Sequence, residues 1–292
     1  MKFEVYAKKA QLPNEAIEVM RRNYAKIGSR PEFLALCKQI YGGVPFKEIQ
    51  IDLEAFAEAV SVERYELMLL LLMETCDKME KNFESLGFSE QNFLDTVKDF
   101  QYKTRECFEL DGVYGISPFS AWYQKIFAGE IITLGRLQYQ IKKSDYSKFT
   151  VDGVEVVEGD PIYSLHIPSA GPLLPDDVTE SFRLAYEFFG ERVQGKLIVT
   201  CLSWLLYPPY KEKVFAKGSN LWNFADCFHI VSRQETEKFG NAWRIFATRD
   251  VSDLSALPAD TSLRRNFIRY MSEGGTHGAG FGAIAIDQKY FE

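Results

Sequence analysis

Long apolar runs are missing from this chain of 292 residues. The longest aliphatic stretch, Leu67 to Met73, falls far short of the ~20 residues a spanning helix needs, and the amino terminus carries no apolar signal core. A cytoplasmic protein without a membrane partner is expected. Cysteine is sparse: Cys37, Cys76, Cys107, Cys201 and Cys227 form an odd set without CxxC spacing, which argues against a disulfide framework or a four-thiolate zinc site. Histidine is scarcer still, with three in the chain, and His229 and His277 have no metal-ligand partner at a recognisable spacing. No metal is expected. There is no dense Lys/Arg block, and 34 basic against 41 acidic side chains leave a net charge of −7, which argues against nonspecific nucleic-acid binding. Repeats and low-complexity segments are absent too. What is present, 46% hydrophobic and 26% charged residues, describes a globular chain long enough for two domains.

The periodicity changes partway along. Glu15 to Lys26, Pro31 to Ile40, Asp52 to Ala59, Val62 to Asn82 and Ser89 to Phe108 lack strand alternation, and one apolar stripe per helix implies a bundle. Breakers stand at Gly42-Gly43, at Gly87 and at Asp111-Gly112. From about Gly129 short strands take over: Ile131 to Ile141, Lys148 to Val157 broken by Asp152-Gly153, and Pro161 to Ile167, read together as an antiparallel meander. A helix follows, Asp176 to Phe189, with Val178, Phe182, Ala185 and Phe189 on one face and Gly190 at its end. The run Lys196 to Leu206 then completes a βαβ crossover, placing Tyr163 to Ile167 parallel to Ile198 to Trp204. Further strands are expected at Phe228 to Ser232, Trp243 to Thr248 and Phe281 to Ile286, with helices at Ser219 to Asp226 and Thr261 to Ser272. The fold class is therefore α+β or α/β: a helical domain over residues 1–120 and a mixed-sheet domain over 121–292.

Some residues in this pattern are suited to chemistry. Read as one strand, Arg136, Gln138 and Gln140 share a face, so three long polar side chains line a groove or meet solvent. His166 sits at the carboxyl end of the strand before the crossover, where ligands gather in open α/β sheets, and a neutral imidazole there can take a proton. A structural histidine fits the same position. Ser203 and Trp204 end the neighbouring strand and are expected to face His166, with Trp204 better suited to the core than to a ligand wall. Cys201 and Ser203 share a face, which raises a covalent acyl-enzyme as an alternative, although no GxSxG elbow accompanies them. Ser219-Asn220 reads first as a helix N-cap. GAGFG, Gly278 to Gly282, precedes a strand rather than opening a helix, so it is no dinucleotide fingerprint.

The stretches LGRLQYQ (134–140), LHIPSAGPL (165–173), ESFRLAYEFF (180–189), LSWLL (202–206) and SNLWNF (219–224) resemble a bacterial family of two-domain acyltransferases, in which a helical N-acyltransferase N-terminal domain precedes a GNAT-like C-terminal domain. The resemblance implies acyl transfer from acetyl-CoA or another acyl-CoA to an amine, on a small molecule or a protein. Taken together with the positions described above, it points to His166 and Ser203 for catalysis, Ser169, Ala170, Gly171 and Asn220 for the cofactor, and Arg136, Gln138, Gln140 and Trp204 for the substrate. One departure matters. The segment expected to hold the CoA pyrophosphate, PSAGPLLPDD (168–177), has one glycine and three prolines, and Asp176 and Asp177 oppose a phosphate at the helix start. Arg136 or another basic side chain is expected to compensate by binding the anion. The competing expectation is a noncatalytic GNAT-like binding module.

Overall fold

The computed structural model describes residues 1–117, 120–190 and 195–292. It divides into two compact units, Met1–Thr133 and Leu134–Glu292. The border drawn from periodicity after residue 120 falls at the start of a further helix, Ser120–Phe127.

The first unit is helical: α1 (Lys2–Lys9), α2 (Asn14–Ile27), α3 (Pro31–Gly42), α4 (Phe46–Ala59), α5 (Arg64–Glu74), α6 (Cys76–Ser85), α7 (Glu90–Val97), α8 (Asp99–Asp111) and α9 (Ser120–Phe127). The aliphatic run Leu67 to Met73 lies in α5, which is buried on every side because α1, α2, α3, α4 and α6 all pack against it. Two helices expected to be continuous are broken. Val62 to Asn82 divides at Thr75 into α5 and α6, and Ser89 to Phe108 divides at Lys98 into α7 and α8. A threonine stands at or just before each break with its hydroxyl turned back on the preceding turn: Thr75 Oγ1 donates to Leu71 O (2.7 Å) and Thr96 Oγ1 to Asn92 O (2.8 Å). Such bonds bend a helix, and a periodicity count does not register them.

In the second unit the chain runs β1 (Ile131–Leu134), β2 (Leu137–Lys143), β3 (Lys148–Val151), β4 (Val154–Val157), β5 (Pro161–His166), α10 (Pro175–Phe189) and β6 (Leu197–Ser203). After a 3-10 turn, Trp204–Leu206, come α11 (Pro208–Lys213), α12 (Asn220–Asp226), β7 (His229–Thr236), α13 (Trp243–Phe246), α14 (Ser262–Ser272) and β8 (His277–Ile286). The sheet order is β1-β2-β5-β6-β8-β7, with β3 and β4 in a separate hairpin. The βαβ crossover is present: β5 and β6 are parallel, and α10 buries Val178, Phe182, Ala185 and Phe189.

Three expectations are corrected. The strand Ile131 to Ile141 is a hairpin, because Gly135 turns with φ +65 and comes so close to α10 that a Cβ would lie 3.2 Å from Leu184 Cδ1. The meander is interrupted, because β2 pairs directly with β5 from Lys143↔Pro161 onward. The β3–β4 hairpin lies on the sheet instead, packing Phe149, Val151 and Val156 against Ile162, Ile198, Phe281, Ala283 and Ala285. Its Asp152-Gly153 turn is as expected, and Asp152 anchors the tip by accepting from Ala285 N (3.0 Å) and pairing with His229 Nε2 (2.8 Å). Finally, Trp243 to Thr248 is no strand. Ile245 and Phe246 are adjacent and both buried, which a helix turn allows and a one-sided strand does not.

Candidate acyl-transfer site

The alternation of β2 sets two faces. Tyr139 turns toward α10, where its hydroxyl lies 3.1 Å from Ser181 Oγ and its ring tilts against Phe189. Gln138 and Gln140 take the opposite face and are buried, at 1% and 6% exposure. The register places Gln138 across from His166 and Gln140 across from Ser164, and Ser164 is paired in turn with Thr200 of β6. Two residues earlier on the same face stand Ile162 and Ile198, under the β3–β4 hairpin. Where the hairpin's cover ends, the face changes from aliphatic to polar. His166 Nε2 lies 3.3 Å from Gln140 Oε1, a diagonal cross-strand contact that satisfies the buried amide oxygen and orients the imidazole.

The two parallel strands part at this point. Their ladder comprises Tyr163↔Val199 and Ser164↔Thr200, while β5 goes on to His166 and β6 to Ser203. The outer ladders persist, with Gln138↔His166 on one side and Ser203↔Gly280 on the other. The divergence therefore lies between β5 and β6. On the polar face of β6 the next side chain is Leu202, 63% exposed.

Other expected site residues fall elsewhere. Ser203 alternates to the α10 side, away from His166, and its hydroxyl accepts from Leu205 N (3.2 Å) to cap the 3-10 turn. Trp204 belongs to that turn and packs among Tyr210, Phe215 and Phe267, with ring centroids about 6 Å away. Neither faces His166. Cys201 is 1% exposed, and burial pushes its thiol up to about 12, so it offers no thiolate to an acyl group. Ser219 is the expected N-cap, accepting from Trp222 N (3.3 Å), and Asn220 opens α12 behind it.

Arg136 does not lie on the polar face. It occupies the turn after Gly135, and its guanidinium donates to three carbonyls of the loop that carries Ser169, Ala170 and Gly171. Nη1 reaches Pro168 O (3.0 Å), Nη2 reaches Gly171 O (2.6 Å) and Nε reaches Pro172 O (3.1 Å). Ser181 fixes this turn from below, donating to Leu134 O and accepting from Leu137 N. The loop leads into α10, with Pro175 at its first position and exposed Asp176 and Asp177 in the first turn. Arg244, stacked on Trp243, reaches Ser169 Oγ at 3.5 Å. Arg244 is not singled out by the sequence pattern, because Trp243 to Thr248 reads as a strand there and is a helix turn in the structure.

The remaining histidines are engaged in the fold. His229 pairs with Asp152. His277 stacks on Phe239 with centroids 4.6 Å apart, its Nδ1 lies 2.9 Å from the Tyr210 hydroxyl, and burial lowers its pKa. The GAGFG glycines serve packing: a Cβ on Gly280 would lie 2.0 Å from Leu206 O, and one on Gly278 2.3 Å from Gln234 O. Among the described residues no cluster of His, Cys, Asp or Glu is arranged to hold a metal ion, and no helix is long and apolar enough to cross a membrane.

A mixed sheet with one parallel pair that diverges beneath a loop and a crossover helix is the GNAT-like acyltransferase fold. Two family models divide the chain between them: the N-acyltransferase N-terminal domain matches residues 1–129 and the GNAT-like C-terminal domain residues 131–284. The protein belongs to this two-domain acyltransferase family. A search of curated proteins finds no match. Among solved structures, the chain is similar to an acyltransferase in complex with CoA and 10C-teicoplanin, with a TM-score of 0.76 and 18% identity over 96% of this chain and 86% of that one. It is also similar to an acyltransferase in complex with decanoyl-CoA and teicoplanin (TM-score 0.71, 17% identity, 96% and 86% covered). A third, an acyltransferase in complex with decanoyl-CoA, aligns over 98% of this chain and 100% of that one at TM-score 0.63 and 18% identity.

Proposed function

We propose that this protein transfers an acyl group from an acyl-CoA to an amine on a small molecule. The observation that carries the reading is the divergence of β5 and β6 beyond Ser164↔Thr200, with His166 at its rim. Strand edges that part leave backbone N–H and C=O groups with which an extended pantetheine chain can pair as an added strand does. The acceptor nitrogen attacks the thioester carbonyl, so that a C–N bond forms and the C–S bond breaks. His166 takes the proton from nitrogen and passes it to the departing sulfur, so that CoA leaves as the thiol and the imidazole is neutral again. Gln138 and Gln140 flank the histidine, Gln140 orienting it, and the loop of Ser169, Ala170 and Gly171 with Asn220 receives the cofactor. Transfer is direct, because Cys201 is buried with its thiol protonated and Ser203 faces away.

Of the similar solved structures, one holds octanoyl-CoA, two hold decanoyl-CoA, one of these together with teicoplanin, and another holds CoA with 10C-teicoplanin. They favour a medium-chain donor and a small-molecule acceptor over the acetyl donor and protein acceptor also considered from sequence. Calorimetric titration with acetyl-, octanoyl- and decanoyl-CoA, followed by measurement of thiol release in the presence of amine acceptors, tests the reading. Binding of an acyl-CoA with amine-dependent thiol release is the expected result. Binding without release under any acceptor points to a noncatalytic module, and no binding at millimolar donor refutes the assignment.

A further inference from the structure

The loop over the diverging strands is poor in the features that usually receive a phosphate, and three donors of Arg136 are turned onto its backbone. Arg136 takes three carbonyl oxygens of one short loop: those of Pro168, Gly171 and Pro172. A guanidinium has five N–H donors in a planar fork, so most of its donors on these faces are committed to backbone.

Carbonyl direction fixes amide direction. The peptide bonds here are trans, so each C=O points opposite to the N–H of the same plane. With the Pro168 and Pro172 carbonyls drawn to the guanidinium, the amides of Ser169 and Leu173 are turned to the other side. The Gly171 carbonyl precedes Pro172 and has no such amide, and Gly171 itself holds φ +104, a conformation that suits glycine. Arg136 thus gathers the negative ends of three dipoles that would otherwise oppose an anion, in a loop whose next helix turn already carries Asp176 and Asp177. Its own position depends on the Gly135 turn and on Ser181 beneath it.

We propose that Arg136 is a positioning residue for the donor, holding the 168–173 loop in its acyl-CoA-binding shape and acting through the loop rather than by contact with the phosphates. The proposal rests on the acyl-CoA reading above and adds to it the device that replaces a glycine-rich phosphate loop.

The test compares the unaltered protein with Arg136→Ala and Arg136→Lys by amide hydrogen exchange without ligand and by calorimetry with octanoyl-CoA at several salt concentrations. In Arg136→Ala the amides of Ser169, Ala170, Gly171 and Leu173 should exchange faster before any ligand is added, while α5 and β6 keep their protection. Octanoyl-CoA should bind at least about tenfold more weakly. The dependence of affinity on salt should be unchanged, since no charge that meets the ligand has been removed. Arg136→Lys, a single donor in place of the fork, should lose most of the same affinity although it keeps the charge. Unchanged exchange in the free variant, with a shallower salt dependence and rescue by lysine, would mean direct contact and overturn the proposal. Faster exchange with unaltered affinity overturns it too. If the unaltered protein binds no acyl-CoA, the functional reading itself falls, and the exchange data still decide separately whether the clamp orders the loop.

Discussion

His166 differs from the other two histidines in its place in the fold, at the carboxyl end of β5. His229 holds the β3–β4 hairpin and His277 fills an aromatic stack, whereas His166 stands at the rim of the strand divergence with Gln140 behind it. Substituting His166 by Ala should lower turnover by about 10²- to 10⁴-fold, as expected for a general base, while donor affinity by calorimetry stays within about twofold. Cys201→Ala should leave turnover within about threefold, because a thiol held near 12 takes no part in the reaction. A loss as large as that of His166→Ala would restore the acyl-cysteine route. At this scale the sequence was legible where position alone decides: a histidine at the carboxyl end of a crossover strand is found by counting. It was illegible where a single dihedral decides. Gly135 at positive φ moves Arg136 out of the strand, and a period-2 pattern of Arg136, Gln138 and Gln140 carries no trace of that turn.

Element by element, the crossover was the most readable part. α10 combines a 3.6-residue apolar period, proline at its first position and glycine after its end, three signals that agree. The short apolar segment Trp243 to Phe246 offered one signal and was misread, since four apolar-rich residues fit a strand or a helix turn equally well. β8 carried its role in glycines that no local rule explains. They admit the 3-10 turn Trp204–Leu206, which ends the strand beside the divergence and turns the chain over β8. Gly280→Ala would force a methyl group onto the Leu206 carbonyl, which cannot yield as a flexible side chain does. A loss of about 3 kcal/mol or more in urea unfolding is expected, with the midpoint lowered and the slope unchanged. A stability change below about 0.5 kcal/mol would show that the turn moves freely. Gly153, with positive φ and open space around it, should tolerate Ala better than Gly280 does, the cost there being backbone strain without a clash.

At the scale of the whole molecule, the two-part organisation was visible as a change of period, because a bundle buries one stripe per helix and a sheet alternates faces. The sheet order was not visible: β2 pairs with β5 across the excursion of β3 and β4, a contact set by Ser144, Gly159 and Asp160 closing the base of that excursion. Stability as a whole should depend on pH through a few groups. Burial lowers the pKa of His277 in the folded protein, so its contribution is present above the unfolded value near 6.5 and is lost as pH falls below that value. Melting temperature should therefore drop between pH 7.5 and 5.5, and less so in His277→Gln, which has no proton to gain. Equal drops in both proteins would assign the effect elsewhere. Below about pH 4.5 the lowered carboxyls of Asp77 and Glu80, held by Lys2, Tyr41, Lys9 and Tyr6, add to the loss. Glu74, raised by burial, acts in the opposite sense, since the folded state takes its proton first.

The prolines at 168, 172 and 175 also bear on time. A glycine-rich phosphate loop samples many shapes and must give them up when its ligand arrives, which slows productive encounters or adds a closing step after them. Here three residues have φ fixed by their rings, and a guanidinium ties the segment between them. The loop has surrendered its freedom during folding. Donor association should then proceed in one kinetic phase, with an observed rate that rises linearly with donor concentration and shows no plateau in stopped-flow fluorescence. A plateau would reveal a rearrangement that the stiffness of this loop leaves no room for.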